Sequence, residues 1–242
     1  MRCGITSSTW CATSRKIRSS LGSTTSVPPV RRKRLPNTRQ RLLDASTALF
    51  AARGFHGTTT RDIAAATGIT AGAVYAHYAS KEEILFTIIR DGHSAIIELL
   101  YAAISERETP LAQTYAGLRM FALAQVEQLA RARVVHYELT SLSPEHLELV
   151  REQRREIFAI MASTIERGVA EGVFVVDNLP MAVLGVQGVT IDIARWYPVA
   201  DPGVPASPAQ IATQVAHMGL RILGVGADQL AQLDAQRAAR RG

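Results

Sequence analysis

The chain has 242 residues, 47% hydrophobic and 20% charged, with 27 basic and 21 acidic side chains for a formal charge of +6. That length allows one large domain or two small ones around a substantial core, and no apolar run reaches the roughly eighteen residues that a membrane-spanning helix needs. The only cysteines, Cys3 and Cys11, fall in a polar N-terminal stretch, so the rest of the chain has neither disulfide nor thiolate metal site, as expected for a cytoplasmic protein.

Residues 1–30 are rich in Ser and Thr, carry four basic and no acidic side chains, and end in Val27-Pro28-Pro29. They read as part of a disordered basic tail over 1–35, with an organellar transit peptide as a minor alternative. Arg31-Arg32-Lys33-Arg34 follows; such a run suits either contact with phosphates or simple solvation. From 31 to 83 nine basic residues face four acidic ones, whereas 84–242 holds fourteen arginines against seventeen acids. The positive charge is therefore concentrated in the first third, where contact with a polyanion is expected.

Helical signals begin at residue 37. Thr38 is placed to cap a first helix to Arg53, with Leu42, Ala45, Leu49 and Ala52 on one face and Gly54 as its stop. Thr59 caps a second, Thr60–Thr67, with Asp62 completing a capping-box-like pair. Gly68 ends it, and Thr70 caps a short third helix from Ala71 to about Tyr78. Ser80-Lys81-Glu82-Glu83 opens a fourth that runs through Leu100. Longer amphipathic segments follow at about 110–130, 133–141, 144–170, 179–196 and 207–223. Val173-Phe174-Val175-Val176 is too isolated to build a sheet. The class is all-α with about nine helices. The expected divisions are the tail at 1–35, a helix-turn-helix domain at 36–83, a ligand-binding and dimerisation domain at 84–225, and a flexible tail at 226–242.

Two short helices joined through Gly68-Ile69-Thr70, with a stabilising helix before them, form the unit that a major groove accepts. Ala71, Gly72 and Ala73 have almost no side chain, so the backbone there can approach bases closely. Tyr75, His77 and Tyr78 add rings with polar tips, although core packing is the better reading for Tyr78. Thr60 and Lys81 begin helices whose N-termini favour phosphate.

The run from Thr58 to Glu83, TTTRDIAAATGITAGAVYAHYASKEE, resembles the signature of the tetracycline-repressor (TetR) family, roughly T-T-x-x-D-I-A-x-x-A-G-V-S-x-G-x-L-Y-x-H-F-x-S-K-E-x-L. Ile69, Thr70, Val74, Tyr78 and Thr67 depart from it mildly, keeping size and polarity. The resemblance implies an operator-binding transcriptional regulator, most simply a repressor released by a small molecule, although an activator has the same fold. It implies that Thr60 binds phosphate and that Thr70, Ala71, Gly72 and Ala73 open the recognition helix against bases. Tyr75 and His77 then grip phosphate, and Lys81 anchors the fourth helix. Ala71 offers no hydrogen bond, which leaves readout to Thr70, backbone approach, thymine methyls and DNA shape.

The resemblance also implies an effector site in the later helices and a homodimer through the helices at 179–196 and 207–223. Gly185, Gly188, Ala212, Ala216 and Gly219 there permit close helix approach. Met120, Phe121, His136, Tyr137, Phe158 and Met161 are candidate cavity residues. Arg195-Trp196-Tyr197-Pro198 resembles a branch of the family that senses acyl-CoA thioesters, and a guanidinium beside an indole suits an anionic, partly apolar ligand. The six histidines are scattered, without metal-ligand spacing, and neither a Gly-x-Ser-x-Gly motif nor a phosphate-cradling Gly loop occurs. No enzyme, metal or cofactor is expected. A helical protein-interaction bundle that has lost DNA recognition is the remaining alternative.

Overall fold

The computed structural model describes residues 37–197 and 207–239, without the side chains of 196 and 236–239. The expected N-terminal tail, the cationic run at 31–34 and residues 198–206 lie outside the described residues. Ten α-helices and one 3-10 turn are present there, and no strand.

Helix α1 (Thr38–Arg53) is capped by Asn37, whose Oδ1 accepts from the Gln40 N–H at 2.8 Å. The expected cap, Thr38, is instead the first helical residue, because extended Asn37 already supplies the oxygen. In α2 (Thr60–Thr67) the Thr59 hydroxyl accepts from Asp62 N while the Asp62 carboxylate accepts from Thr59 N, the reciprocal box expected. Gly68 ends α2 in the left-handed region at φ +69°, which a residue with a Cβ rarely adopts. Helix α3 (Ala71–Tyr75) is shorter than expected and gives way to a turn before Tyr78. Ser80 caps α4 (Lys81–Ser105).

The remaining helices are α5 (Pro110–Glu127), α6 (Leu129–Tyr137), α7 (Pro144–Ala170), α8 (Leu179–Trp196), α9 (Pro208–Ile222) and α10 (Ala227–Ala239), with the 3-10 turn at Leu139–Ser141. The break between α5 and α6 falls at Gln128, a few residues before the expected one, and α6 ends at Tyr137. A flexible tail from 226 was the expectation; α10 stands there instead, seated by buried Leu230 and partly buried Leu233. The 173–176 segment pairs with no strand. Val175 N–H donates to Leu223 O, and Phe174 is buried against Gly168, where a Cβ would lie 2.2 Å from its ring.

Burial explains why short helices hold together here. Leu42, Phe50, Ile63, Val74, Tyr78, Ile84, Ile88 and Ile89 are each nearly inaccessible, and each fully buried aliphatic or aromatic side chain contributes roughly 1.5–3 kcal/mol. Val134, Leu142 and Val150 join this cluster, so α6 and α7 pack on the same core as α1–α4. A second cluster is built around Leu118, Met161, Ile165, Val186 and Leu220 from α5, α7, α8 and α9. No helix among the described residues is long and apolar enough to cross a membrane.

Candidate nucleic-acid interface and effector cavity

The exposed rim of the α2–α3 unit gathers the predicted DNA contacts. Thr60, the first residue of α2, lies with its Oγ1 3.4 Å from the hydroxyl of Tyr75, which donates to it. Tyr75 is 54% exposed, whereas Tyr78 is 1% exposed with its hydroxyl accepting from Arg39 Nε at 3.1 Å. The two tyrosines thus divide as expected, one facing solvent and one holding α1. His77 is exposed, as is Gly72. Thr70 Oγ1 accepts from Ala73 N at 3.2 Å, so its lone pair caps α3 while its O–H proton remains available to a base or phosphate oxygen.

Gly72 has no internal reason to be glycine. Nothing but the Thr70 hydroxyl, at 4.0 Å, approaches the position of a Cβ there, and Ala would favour the helix by about 1 kcal/mol.

Lys81 turns its ammonium inward. Its Nζ donates to the carbonyls of Phe55 and Thr58, both at 2.7 Å, and lies 4.0 Å from the centre of the Phe55 ring. Burial lowers its pKa. The ammonium therefore clips the start of α4 to the α1–α2 turn, and that turn sets where Thr59 and Thr60 stand. Next to it, Glu82 Oε1 accepts from Ser143 N at 2.9 Å, and its carboxylate meets His146 Nδ1 at 2.9 Å. The same residue thus fastens the N-terminus of α7 to the N-terminus of α4.

Behind this unit lies a cavity of about 370 Å³ between α4, α5, α6, α7 and α8. Ile96, Leu99, Phe121, Ile157, Phe158 and Ile191 supply apolar wall, and Arg131, Arg151, Arg154 and Arg155 supply cations; no carboxylate lines it. Arg151 and Arg155 share Glu148, at 3.4 and 2.9 Å. His93 and His136 also line it. Burial depresses their pKa values to about 4 and about 3, aided for His136 by His93 and for both by Arg154. Both rings are neutral at pH 7.

Of the candidate ligand residues, Phe121, His136 and Phe158 line this cavity. Met161 is wholly buried in the second core cluster instead, and Met120 is only partly buried and off the wall. Tyr137 is 44% exposed and donates to Asp192 Oδ1 at 3.2 Å. Arg195 is exposed and away from the wall, and the Trp196 side chain lies outside the described residues. The sequence reading missed the arginines, although Arg151, Arg154 and Arg155 at i, i+3 and i+4 share one face of a helix.

The small residues of α8 and α9 also separate. Ala212, Ala216 and Gly219 are buried, and a Cβ at Gly219 would meet Leu118 Cδ1 of α5 at 2.8 Å, so they serve packing within the chain. Gly185 and Gly188 are exposed beside Met181, Leu184, Met218 and Ile222, all more than 40% exposed. An apolar strip over two adjacent helices is thus left uncovered.

Known proteins agree with this architecture. Residues 42–88 match the family described as bacterial regulatory proteins, tetR family, and residues 107–223 match the tetracyclin repressor-like C-terminal domain. The transcriptional repressor KstR2 of Mycolicibacterium smegmatis is 30% identical over 180 residues, covering 73% of this chain and 85% of that protein. A tetR-family regulatory protein from Rhodococcus RHA1 superposes with a TM-score of 0.74 at 31% identity, covering 79% of this chain and all of the other. AibR, solved in complex with isovaleryl coenzyme A and operator DNA, shares the fold at a TM-score of 0.68 and 20% identity, over 75% and 97% of the two chains. The chain belongs to the tetR family of bacterial regulatory proteins: it is a DNA-binding transcriptional regulator, not an enzyme.

Proposed function

We propose that the protein is a homodimeric repressor that leaves its operator when an anionic, partly apolar effector, of the acyl-CoA thioester class, fills the cavity between α4 and α8. The observation that carries this reading is the cavity itself: four arginines and no carboxylate at a wall that is otherwise mostly apolar. Guanidinium groups hold phosphate and carboxylate through paired N–H donors, while the apolar wall takes an acyl chain. Arg151 and Arg155 already share Glu148, so it is Arg131 and Arg154 that a neutral hydrophobic effector would leave without a counterion.

In this reading residues 36–83 are the reading head and 84–225 the effector and dimer part. Thr60, Tyr75 and His77 contact phosphates, Thr70 to Ala73 face the bases, and the protein works on DNA in the cytoplasm. The uncovered strip of Met181, Leu184, Met218 and Ile222 meets its copy in a second chain. Helix α4 couples the parts, because Gly92, His93 and Ile96 line the cavity while Lys81, at its start, holds the turn before α2. An effector that fits only one placement of α4 shifts the population between DNA-competent and released dimers.

The test is an anisotropy titration of an operator selected from genomic DNA, with and without a medium-chain acyl-CoA. The reading predicts that the thioester weakens the complex at least tenfold, about 1.4 kcal/mol of coupling, and that Arg154→Ala largely abolishes the effect. Operator affinity indifferent to acyl-CoAs would overturn the effector class; failure to select any DNA would overturn the regulator.

A further inference from the structure

Six buried side-chain polar atoms among the described residues lack a hydrogen-bond partner, and three of them, His93 Nε2, His136 Nδ1 and Gln187 Nε2, belong to side chains of the one cavity wall. They come from α4, α6 and α8, so no single strained helix explains them. A buried polar atom left unpaired is costly, and such groups call for a partner that the isolated chain does not supply.

The chemistry of that partner can be read from the other nitrogens. His93 Nδ1 lies 3.0 Å from Ile89 O. A carbonyl can only accept, so Nδ1 carries the proton and Nε2 keeps a bare lone pair. His136 Nε2 lies 3.2 Å from Gln125 Oε1 and donates to it, leaving Nδ1 as an acceptor. Both rings are neutral, so neither adds to the positive charge of the arginines. Gln187 contributes amide N–H donors. The side chains of the wall therefore hold two unpaired acceptors and one donor, among Leu99, Phe121 and Phe158.

We infer that the effector's buried end bears a hydroxyl, or another neutral O–H or N–H donor, that donates to His93 Nε2, with an oxygen that accepts from Gln187. The cavity then selects a hydroxylated acyl or ring group over its unsubstituted counterpart. This rests on reading the cavity as the effector site, but not on the effector being a thioester.

Two paired measurements on the full chain test it. A 3-hydroxyacyl-CoA is compared with the saturated acyl-CoA of equal chain length by calorimetry, and phenol with toluene by 15N spectra of histidine-labelled protein. The inference predicts that the hydroxyacyl thioester binds about tenfold tighter, a preference that falls to within twofold in His93→Leu and, independently, in Gln187→Leu. It also predicts that phenol, and not toluene, shifts an unprotonated imidazole nitrogen that His93→Leu removes. Equal affinity for the two thioesters overturns the hydroxyl while leaving the thioester reading intact. If neither thioester binds, the thioester reading falls and the phenol–toluene pair decides; equal responses to those two, or none, overturn the hydroxyl.

Discussion

Replacing Lys81 with Met separates two roles that a lysine at the edge of a reading head can play. A phosphate-contacting lysine adds to the salt dependence of binding, about 0.9 in the slope of log K against log salt for each phosphate neutralised, or about 1.8 across a dimer. In the structure both short bonds of the ammonium go inward, to Phe55 O and Thr58 O, with the Phe55 ring beneath. Hydrogen bonds to a charged donor contribute roughly 1.5–3 kcal/mol each and a cation–π contact about 0.5–1. Water reaches this half-buried site and Met retains the apolar stem, so the net loss is set at about 2 kcal/mol, or ~4–8 °C in Tm for a chain of this size. Thermal unfolding and anisotropy across a salt series, on the same Lys81→Met sample, give both quantities. The reasoning predicts a lower Tm with the salt slope changed by less than half of the phosphate value. An unchanged Tm with a slope reduced by the full amount would refute it, and Lys81 would then be a direct phosphate contact.

Gly72→Ala should stabilise α3 by about 0.5–1 kcal/mol, since the site is open, yet weaken operator binding; retained affinity in the same assay would show that no close approach occurs there. His93 and His136 are neutral when folded, with pKa values depressed from 6.5 to about 4 and about 3. The unfolded chain therefore binds the extra protons, and stability falls as pH drops from 6.5 toward those values, by about 1.4 kcal/mol per pH unit for each ring. Denaturant titrations between pH 4 and 6 should show a shallower pH slope, by one proton, in His93→Leu than in the parent; parallel slopes would contradict the burial argument. Met218→Glu places a charge on the uncovered strip of α8 and α9 and should leave a folded monomer by light scattering, whereas an undisturbed dimer would locate the interface elsewhere.

Much of the reading head was legible because its signals are local. Thr59 with Asp62, Thr70, Ser80 and Gly68 act within three or four residues, and each stands in its expected capping role; the box at Ser80 is only half made, because the Glu83 carboxylate accepts from Ala79 N–H instead of Ser80 N–H. The shift from Thr38 to Asn37 shows the limit: two adjacent residues can both cap, and backbone geometry chooses between them. The cavity was less legible because it is assembled from five helices. Periodicity marks which side chains are apolar but not whether they fill a core or line a void, so Met161 and Phe158 look alike in sequence and separate only in space. Helix α10 was missed because its apolar content is little more than Leu230 and Leu233 among Ala and Gln, too sparse to register as a stripe. The direction of Lys81 depends on carbonyls more than twenty residues away, which no local pattern records.

We propose that the rim formed by Thr60, Thr70–Ala73, Tyr75 and His77 is what touches DNA. Hydroxyl-radical footprinting of an operator selected from genomic DNA tests it most directly, run with the parent chain and with Thr60→Ala/Tyr75→Phe. The expected result is two protected patches on one face of the duplex, related by a dyad, that fade in the double variant while its Tm is unchanged. Full protection by that variant, or a footprint without dyad symmetry, would contradict it.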